Sequence, residues 1–154
     1  MRRADRQVTS TQAKLAVLSA CDCCRLGLRD GEEIYVVPIN FGYRFENGSL
    51  ELFFHGAAEG RKAQLIELTH RAGFEMDTKH ELVTGQNACA YSFRYQSIIG
   101  SGEISVVSER SEKLAALECI MEHYGSGPWA FDENALEKVC VWKLTVGEWS
   151  CKEH

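Results

Sequence analysis

The sequence predicts a mainly β fold, an antiparallel barrel with small helices at its periphery. Two observations carry that prediction. About six β-rich runs follow one another through short turns rather than through helices. Only one helix-bearing crossover between strands is credible, and a doubly wound parallel sheet would need helices alternating regularly with strands.

The elements follow in order. Residues 9–20 read as a short helix, with Thr9 or Ser10 as cap and Leu15, Leu18 and neighbouring alanines as its apolar side. After Cys21-Asp22-Cys23-Cys24, residues 25–29 (RLGLR) alternate as a strand does, and Asp30-Gly31 turns the chain. Runs 34–45 and 49–55 flank Asn47-Gly48, a strong two-residue hairpin signal. Pro38 lies inside the first run and cannot donate to a ladder, so it marks an edge position or a bulge. Because residues 34–39 are too apolar for a bare edge, a local interruption is expected there. Such an interruption either frees backbone groups for a ligand or is a plain bulge.

Residues 59–69 read as the crossover helix, with Ala63, Leu65, Ile66 and Leu68 as apolar positions. Residues 72–77 read as a strand and 78–88 as a loop. Residues 90–107 form the longest β-rich run, where Gly100 and Gly102 imply bending or close backbone approach. Residues 108–124 are the clearest helix, capped by Ser108, with Glu109 and Glu112 in the first turn and Leu114, Leu117, Met121 and Tyr124 at helical spacing. Gly125-Ser126-Gly127-Pro128 stops it, Asp132 caps a short helix through Lys138, residues 139–146 alternate as a closing strand, and the rest reads as polar tail. No repeat, low-complexity segment or linker divides the 154 residues, so one domain over 1–154 is expected.

Composition narrows the function. Hydrophobic residues make up 45% and charged residues 25%, an ordinary globular balance. A formal net charge of −5 argues against nucleic acid or an anionic membrane as the main partner. No apolar run approaches the roughly 20 residues that span a bilayer. The basic opening MRRADRQVTS is followed by no apolar core, so no secretory signal is expected. Seven cysteines, an odd number in a chain that folds without staples, fit reduced thiols in a cytoplasm.

Chemistry concentrates around the crossover helix. Its start carries Arg61 and Lys62, although the positive end of a helix disfavours cations; Glu59 alone obeys the rule. A bound anion, phosphate above all, would resolve the conflict, because free N–H groups and basic side chains would converge on it. Two solvated cations are the alternative. His55, beside Gly56 at a strand end, can hydrogen-bond a ligand, hold a substrate or give a proton, or it can be a structural side chain. Cys21-x-x-Cys24 matches a redox or zinc pair in spacing only. It lies where a helix feeds a strand, and Cys89, Cys119, Cys140 and Cys151 are isolated, so small buried residues are the expectation. No Walker loop, GxGxxG or GxSxG is present.

Taken together, CDCCRLGL, YVVPINFGY, LFFHGAAEGRK, FEMD, YSFRYQSIIGSGEI and VCVWKLTV, after the opening MRRADRQVT, resemble the pyridoxamine 5′-phosphate oxidase-like flavoproteins. The similarity is strongest to the branch that includes 5-nitroimidazole resistance proteins. It implies the FMN-binding split barrel, a six-stranded antiparallel Greek-key type, as the fold. By the same resemblance Val37, Pro38, Ile39 and Asn40 line the isoalloxazine ring, His55 and Gly56 continue that wall, Arg61 and Lys62 grip the FMN phosphate, and Ser97 reaches the cofactor. It further implies a homodimer with sites at the interface, and His55 beside the flavin as the catalytic candidate. The segment 148–154 (EWSCKEH) lacks the arginines with which the true oxidases hold substrate phosphate, so vitamin B6 oxidation is not expected. The implied function is an FMN-dependent oxidoreductase acting on a small, nitroimidazole-like molecule. A non-catalytic flavin carrier or sensor and a haem-binding split barrel remain as alternatives.

Overall fold

A computed structural model describes residues 4–154 of the chain; Met1, Arg2 and Arg3, part of the basic opening, lie outside the described residues. The strands are β1 (Gln7–Val8), β2 (Cys24–Asp30), β3 (Glu33–Ile39), β4 (Gly42–Glu46), β5 (Ser49–Ala57), β6 (Arg71–Val83), β7 (Ser92–Val106) and β8 (Val139–Glu153). The helices are α1 (Thr11–Ala20), α2 (Arg61–Thr69), α3 (Arg110–Tyr124) and α4 (Glu133–Lys138). One sheet in the order β3-β2-β6-β7-β8-β5-β4 holds the strands, with β1 added to β8. Every pairing is antiparallel.

All six expected strands are present, but the run 34–45 is two strands rather than one. It breaks at Asn40-Phe41, and its halves lie at opposite ends of the sheet. A link this short holds Ile39 and Gly42 within roughly 11 Å. The two edges therefore meet, and the sheet must curl into a barrel. Phe41 is buried at the corner, its N–H donating to the Tyr124 hydroxyl (3.1 Å), which in turn donates to the Asp22 carbonyl (2.9 Å). Beside it His123 Nε2 lies 2.7 Å from the Cys21 carbonyl oxygen, and its ring packs 4.3 Å from Phe41. The end of α3 thus ties the corner to the start of β2.

The core fills two layers. Inside the barrel Leu26, Leu28, Leu52, Phe54, Phe74, Met76, Ile98 and Trp142 pack with Val17 and Leu18 of α1 and Leu65 and Ile66 of α2. Outside it, Phe53 and Val141 face Ala116, Leu117 and Ile120 of α3 and Leu136 of α4. Leu52-Phe53-Phe54 is thus apolar without alternation because both faces of β5 are covered.

Caps and turns are mostly as the sequence reads. Ser10 accepts from Ala13 N–H, Asp132 accepts from Ala135 N–H, and Asn47 and Gly48 both have positive φ (52° and 83°) in the β4–β5 turn. Other expectations are corrected. Glu109, not Ser108, caps α3, accepting from Glu112 N–H at 3.0 Å. The buried face of that helix is Ala116, Leu117 and Ile120, while Met121 and Tyr124 are exposed, because β4 and β5 set which stripe faces inward. The expected 78–88 loop is strand as far as Val83. The expected tail continues β8 to Glu153, where Cys151 is buried opposite Ile98. Cys21 and Cys24 are buried thiols, and burial pushes Cys21 up to about 12 and Cys24 higher still, so both act as apolar packing groups.

The expected irregularity at Gly100 and Gly102 is a shift of register between β7 and β8 at Ser101/Gly102. A Cβ on Gly102 would lie 2.0 Å from the Thr145 carbonyl oxygen, whereas one on Gly147, across the shift, finds nothing nearer than 3.8 Å. Gly102→Ala should therefore cost about 2 kcal/mol or more in urea unfolding, and Gly147→Ala within about 0.5 kcal/mol of nothing. Tyr124→Phe removes both corner hydrogen bonds and should cost about 1–2 kcal/mol in the same assay.

Candidate functional site

The anomalous charge at the start of the crossover helix is sharper in the structure than in the sequence. Helix α2 begins at Arg61, so Glu59 falls outside it and the first turn holds no acid. The N-cap is Gly60, at φ 110°, a conformation that side chains rarely adopt, and it offers no capping side chain. The first intrahelical bond runs from Gln64 N–H to the Gly60 carbonyl (3.1 Å), which leaves the N–H groups of Arg61, Lys62 and Ala63 ahead of it. Two cations and three helix-end donors share one turn.

The cations diverge from that turn. Arg61 reaches the β2–β3 hairpin, where its Nε and Nη2 donate to Asp30 Oδ2 at 2.7 and 2.6 Å; Nη2 also lies 3.5 Å from Glu33. Its guanidinium sits 4.7 Å from the centre of the Tyr35 ring. Lys62 turns the other way, to β5 and β8. Its Nζ lies 4.8 Å from the Trp142 ring centre and so close above Gly56 that a Cβ there would approach it to 2.8 Å. Burial pushes the Lys62 ammonium below its ordinary value. Among the described residues no carboxylate pairs with Lys62; the face of Trp142 is what it rests on.

His55 and Gly56 lie on β5 near Lys62. Residues His55 and Gly56 pair with Val141 and Cys140 of β8. The imidazole reaches the surface, yet the protein behind it and then the Lys62 charge hold it below the usual 6.5, so it is neutral at pH 7. Burial raises the Cys140 thiol against the opposing pull of Lys113 and Lys62. A cleft of about 650 Å³ runs along the neighbouring side of α2, lined by Glu59, Gly60, Ala63, Glu67, Cys140 and Trp142 among others, and His55, Gly56, Arg61 and Lys62 are not among its lining residues.

The remaining expected residues lie elsewhere. Val37 and Ile39 lean into the barrel, while Pro38 and Asn40 are exposed. No interruption exists at Pro38, which pairs in continuous register with Arg25. Proline is accommodated because, among the described residues, β3 is an edge strand with a partner on one side. Among the described residues nothing covers this apolar edge, where Ile34 is 69% and Val36 58% exposed. Ser97 is on β7 between Asp77 and Lys152, in a second groove of about 410 Å³ with Gln7, Tyr95, Ile99 and Ser150. Along β7 it stands nine residues from Val106, the partner of Trp142, a contour of roughly 30 Å. One chain does not bring Ser97 to Lys62. Sequence reasoning missed Asp30, Tyr35 and Trp142, whose pairings are remote in sequence. Asp30 read as a turn residue and Trp142 as one more apolar position of an alternating strand.

Residues 10–153 match the family model for pyridoxamine 5′-phosphate oxidase. The chain belongs to that family. Among solved structures, a candidate 5-nitroimidazole antibiotic resistance protein from Bacteroides thetaiotaomicron superposes with a TM-score of 0.83 at 29% identity, covering 96% of this chain and 86% of that one. The flavocytochrome Anf3 of Azotobacter vinelandii (TM-score 0.82, 19% identity, 100% and 72% covered) and a FAD- and haem-binding protein of Mycobacterium smegmatis (0.82, 21%, 96% and 73%) share the fold. No curated protein matches the chain. The family is one of flavin-binding split barrels, and the antiparallel sheet with peripheral helices is that fold. No helix of the described residues is long and apolar enough to cross a membrane.

The position of Lys62 beside His55 has a measurable consequence. Lys62→Met should raise the His55 pKa toward 6.5 without restoring it fully, since burial is the larger cause and remains. An NMR pH titration of the imidazole reads the shift; an unchanged value would mean that Lys62 does not act on His55.

Proposed function

We propose that the protein is an FMN-dependent oxidoreductase that binds the cofactor phosphate at the first turn of α2. The observation that carries the reading is that turn: no acid, no capping side chain, and Arg61 and Lys62 flanking free helix-end donors. The residues suit a phosphate, which accepts from backbone N–H and from both cation types. Lys62 on the Trp142 face is a fixed charge in a partly dry site, where electrostatic attraction is stronger than in water.

Bound FMN supplies the redox chemistry. The chain's part is placement. Val37, Pro38 and Ile39, with Asn40 just past the strand end, lie on an edge whose outer backbone groups have no neighbouring strand among the described residues, so they can meet the ring's polar edge. His55 and Gly56 form the wall across from them. A neutral imidazole donates one hydrogen bond and accepts another, so His55 positions a small substrate at pH 7 and gives a proton only in more acidic solution. We assign a nitroaromatic, 5-nitroimidazole-like molecule as the substrate class, on the 29% identity to the Bacteroides thetaiotaomicron protein. Ser97 enters the site from the second copy in a homodimer, since its own chain holds it apart from Lys62. Seven free cysteines, with Cys21, Cys24 and Cys151 buried, support a reducing compartment, the cytoplasm.

Purified protein should carry a flavin absorbance, and nicotinamide oxidation should depend on added nitroimidazole. Bound flavin without turnover would instead indicate a carrier, and a Soret band on haem addition that His55→Ala removes would indicate a haem protein. Replacing Arg61 and Lys62 together by Ala should weaken FMN binding by about a hundredfold and leave riboflavin, which has no phosphate, unaffected. Equal FMN affinity in the double variant would sink the phosphate assignment.

A further inference from the structure

We propose that Asp30 is a latch on Arg61: the β2–β3 turn holds the guanidinium at the hairpin, and a phosphate at the start of α2 must draw it away. The inference rests on the reading of that turn as the flavin phosphate site and adds a competitor to it. Three contacts pull Arg61 in one direction, toward Asp30, Glu33 and the Tyr35 ring. Two donors, Nε and Nη2, converge on the same oxygen of Asp30. Lys62, one residue on, goes to the opposite side over Trp142. The basic pair is therefore splayed rather than gathered on one point.

The charges favour competition over support. Two carboxylates face one guanidinium at the hairpin, and Glu32 lies between them in sequence. An incoming dianion meets a neutralised Arg61 with surplus acid behind it, so it gains Arg61 only at the expense of the Asp30 pair. That exchange is feasible because the pair is half-exposed, with side-chain exposures of 51% and 36%, and such pairs are weak. A phosphate can accept from a guanidinium in a bidentate geometry, through two oxygens, whereas Asp30 accepts through Oδ2 alone. The latch is coupled to the flavin wall. Release of Arg61 uncovers Tyr35 on β3, two residues before Val37, so phosphate binding and the freedom of that edge strand change together.

The test is a double-mutant cycle read by flavin fluorescence titration, with inorganic phosphate as a competing ligand. Asp30→Asn should bind FMN about fivefold more tightly than the unaltered protein, riboflavin should be unchanged, and the gain should vanish in an Arg61→Ala background. Glu33→Gln should shift affinity in the same direction by less, and it serves as the second variant if Asp30→Asn does not fold by circular dichroism. Unchanged or weaker FMN binding in Asp30→Asn, or a gain that survives Arg61→Ala, overturns the latch while leaving the phosphate site intact. Failure of the unaltered protein to bind either FMN or inorganic phosphate overturns the site and the latch with it.

Discussion

A two-residue link between the two edges of one sheet governs this molecule. Strand β3 ends at Ile39 and β4 begins at Gly42, yet the two lie at opposite ends of the strand order. A chain that short cannot bridge an open, flat sheet of seven strands, whose edges would lie about 29 Å apart at six spacings of about 4.8 Å. Curling follows from the connection, and the apolar faces of the strands supply the driving force by closing on Leu26, Phe54, Met76 and Trp142. Phe41 is the wedge at that corner. Its burial would leave a backbone N–H without a partner were Tyr124 not there to accept from it.

The candidate site is a product of the same closure. The first turn of α2 touches β3 through Arg61 and Tyr35 on one side and β8 through Lys62 and Trp142 on the other. An open sheet would separate those strands by most of its width. The helix is also anchored from within, because Leu65 and Ile66 enter the barrel core. Burial of that apolar stripe offsets the unfavourable charge at the helix start, so the sequence can place cations there.

What could be read from the sequence was what neighbouring residues decide. Asn47-Gly48 and Asp30-Gly31 announced their turns, and Ser10 and Asp132 their helix starts, because turn and cap chemistry acts over two or three residues. The break at Asn40-Phe41 was hidden, since an apolar run looks the same whether it stays in one strand or crosses to another edge. The end of β8 was nearly legible: Trp149 and Cys151 alternate with polar neighbours, but the register shift at Gly147 interrupts the period where residue counting begins. In the site, the oddity of Arg61 and Lys62 and the nearness of His55 to Lys62 were visible. Their partners were not. Asp30 and Trp142 lie 31 and 80 residues away from Arg61 and Lys62, respectively, and only the sheet order brings them in.

The two cations that looked equivalent in sequence differ in their surroundings, and the difference orders their roles. Lys62 is partly buried on an indole face with no carboxylate among the described residues to neutralise it, and burial has already lowered its pKa. Its desolvation has been incurred on folding, so an arriving anion gains its charge with little reorganisation. Arg61 is exposed and paired, so any anion must first compete with Asp30 and with water. On the proposed reading, attraction for an anion at this helix start would reside first in Lys62 and the backbone donors, and Arg61 would add to it according to how firmly the β2–β3 turn holds it. The lowered His55 pKa belongs to the same arrangement: burial first, and then the Lys62 charge, disfavour a proton on the neighbouring imidazole.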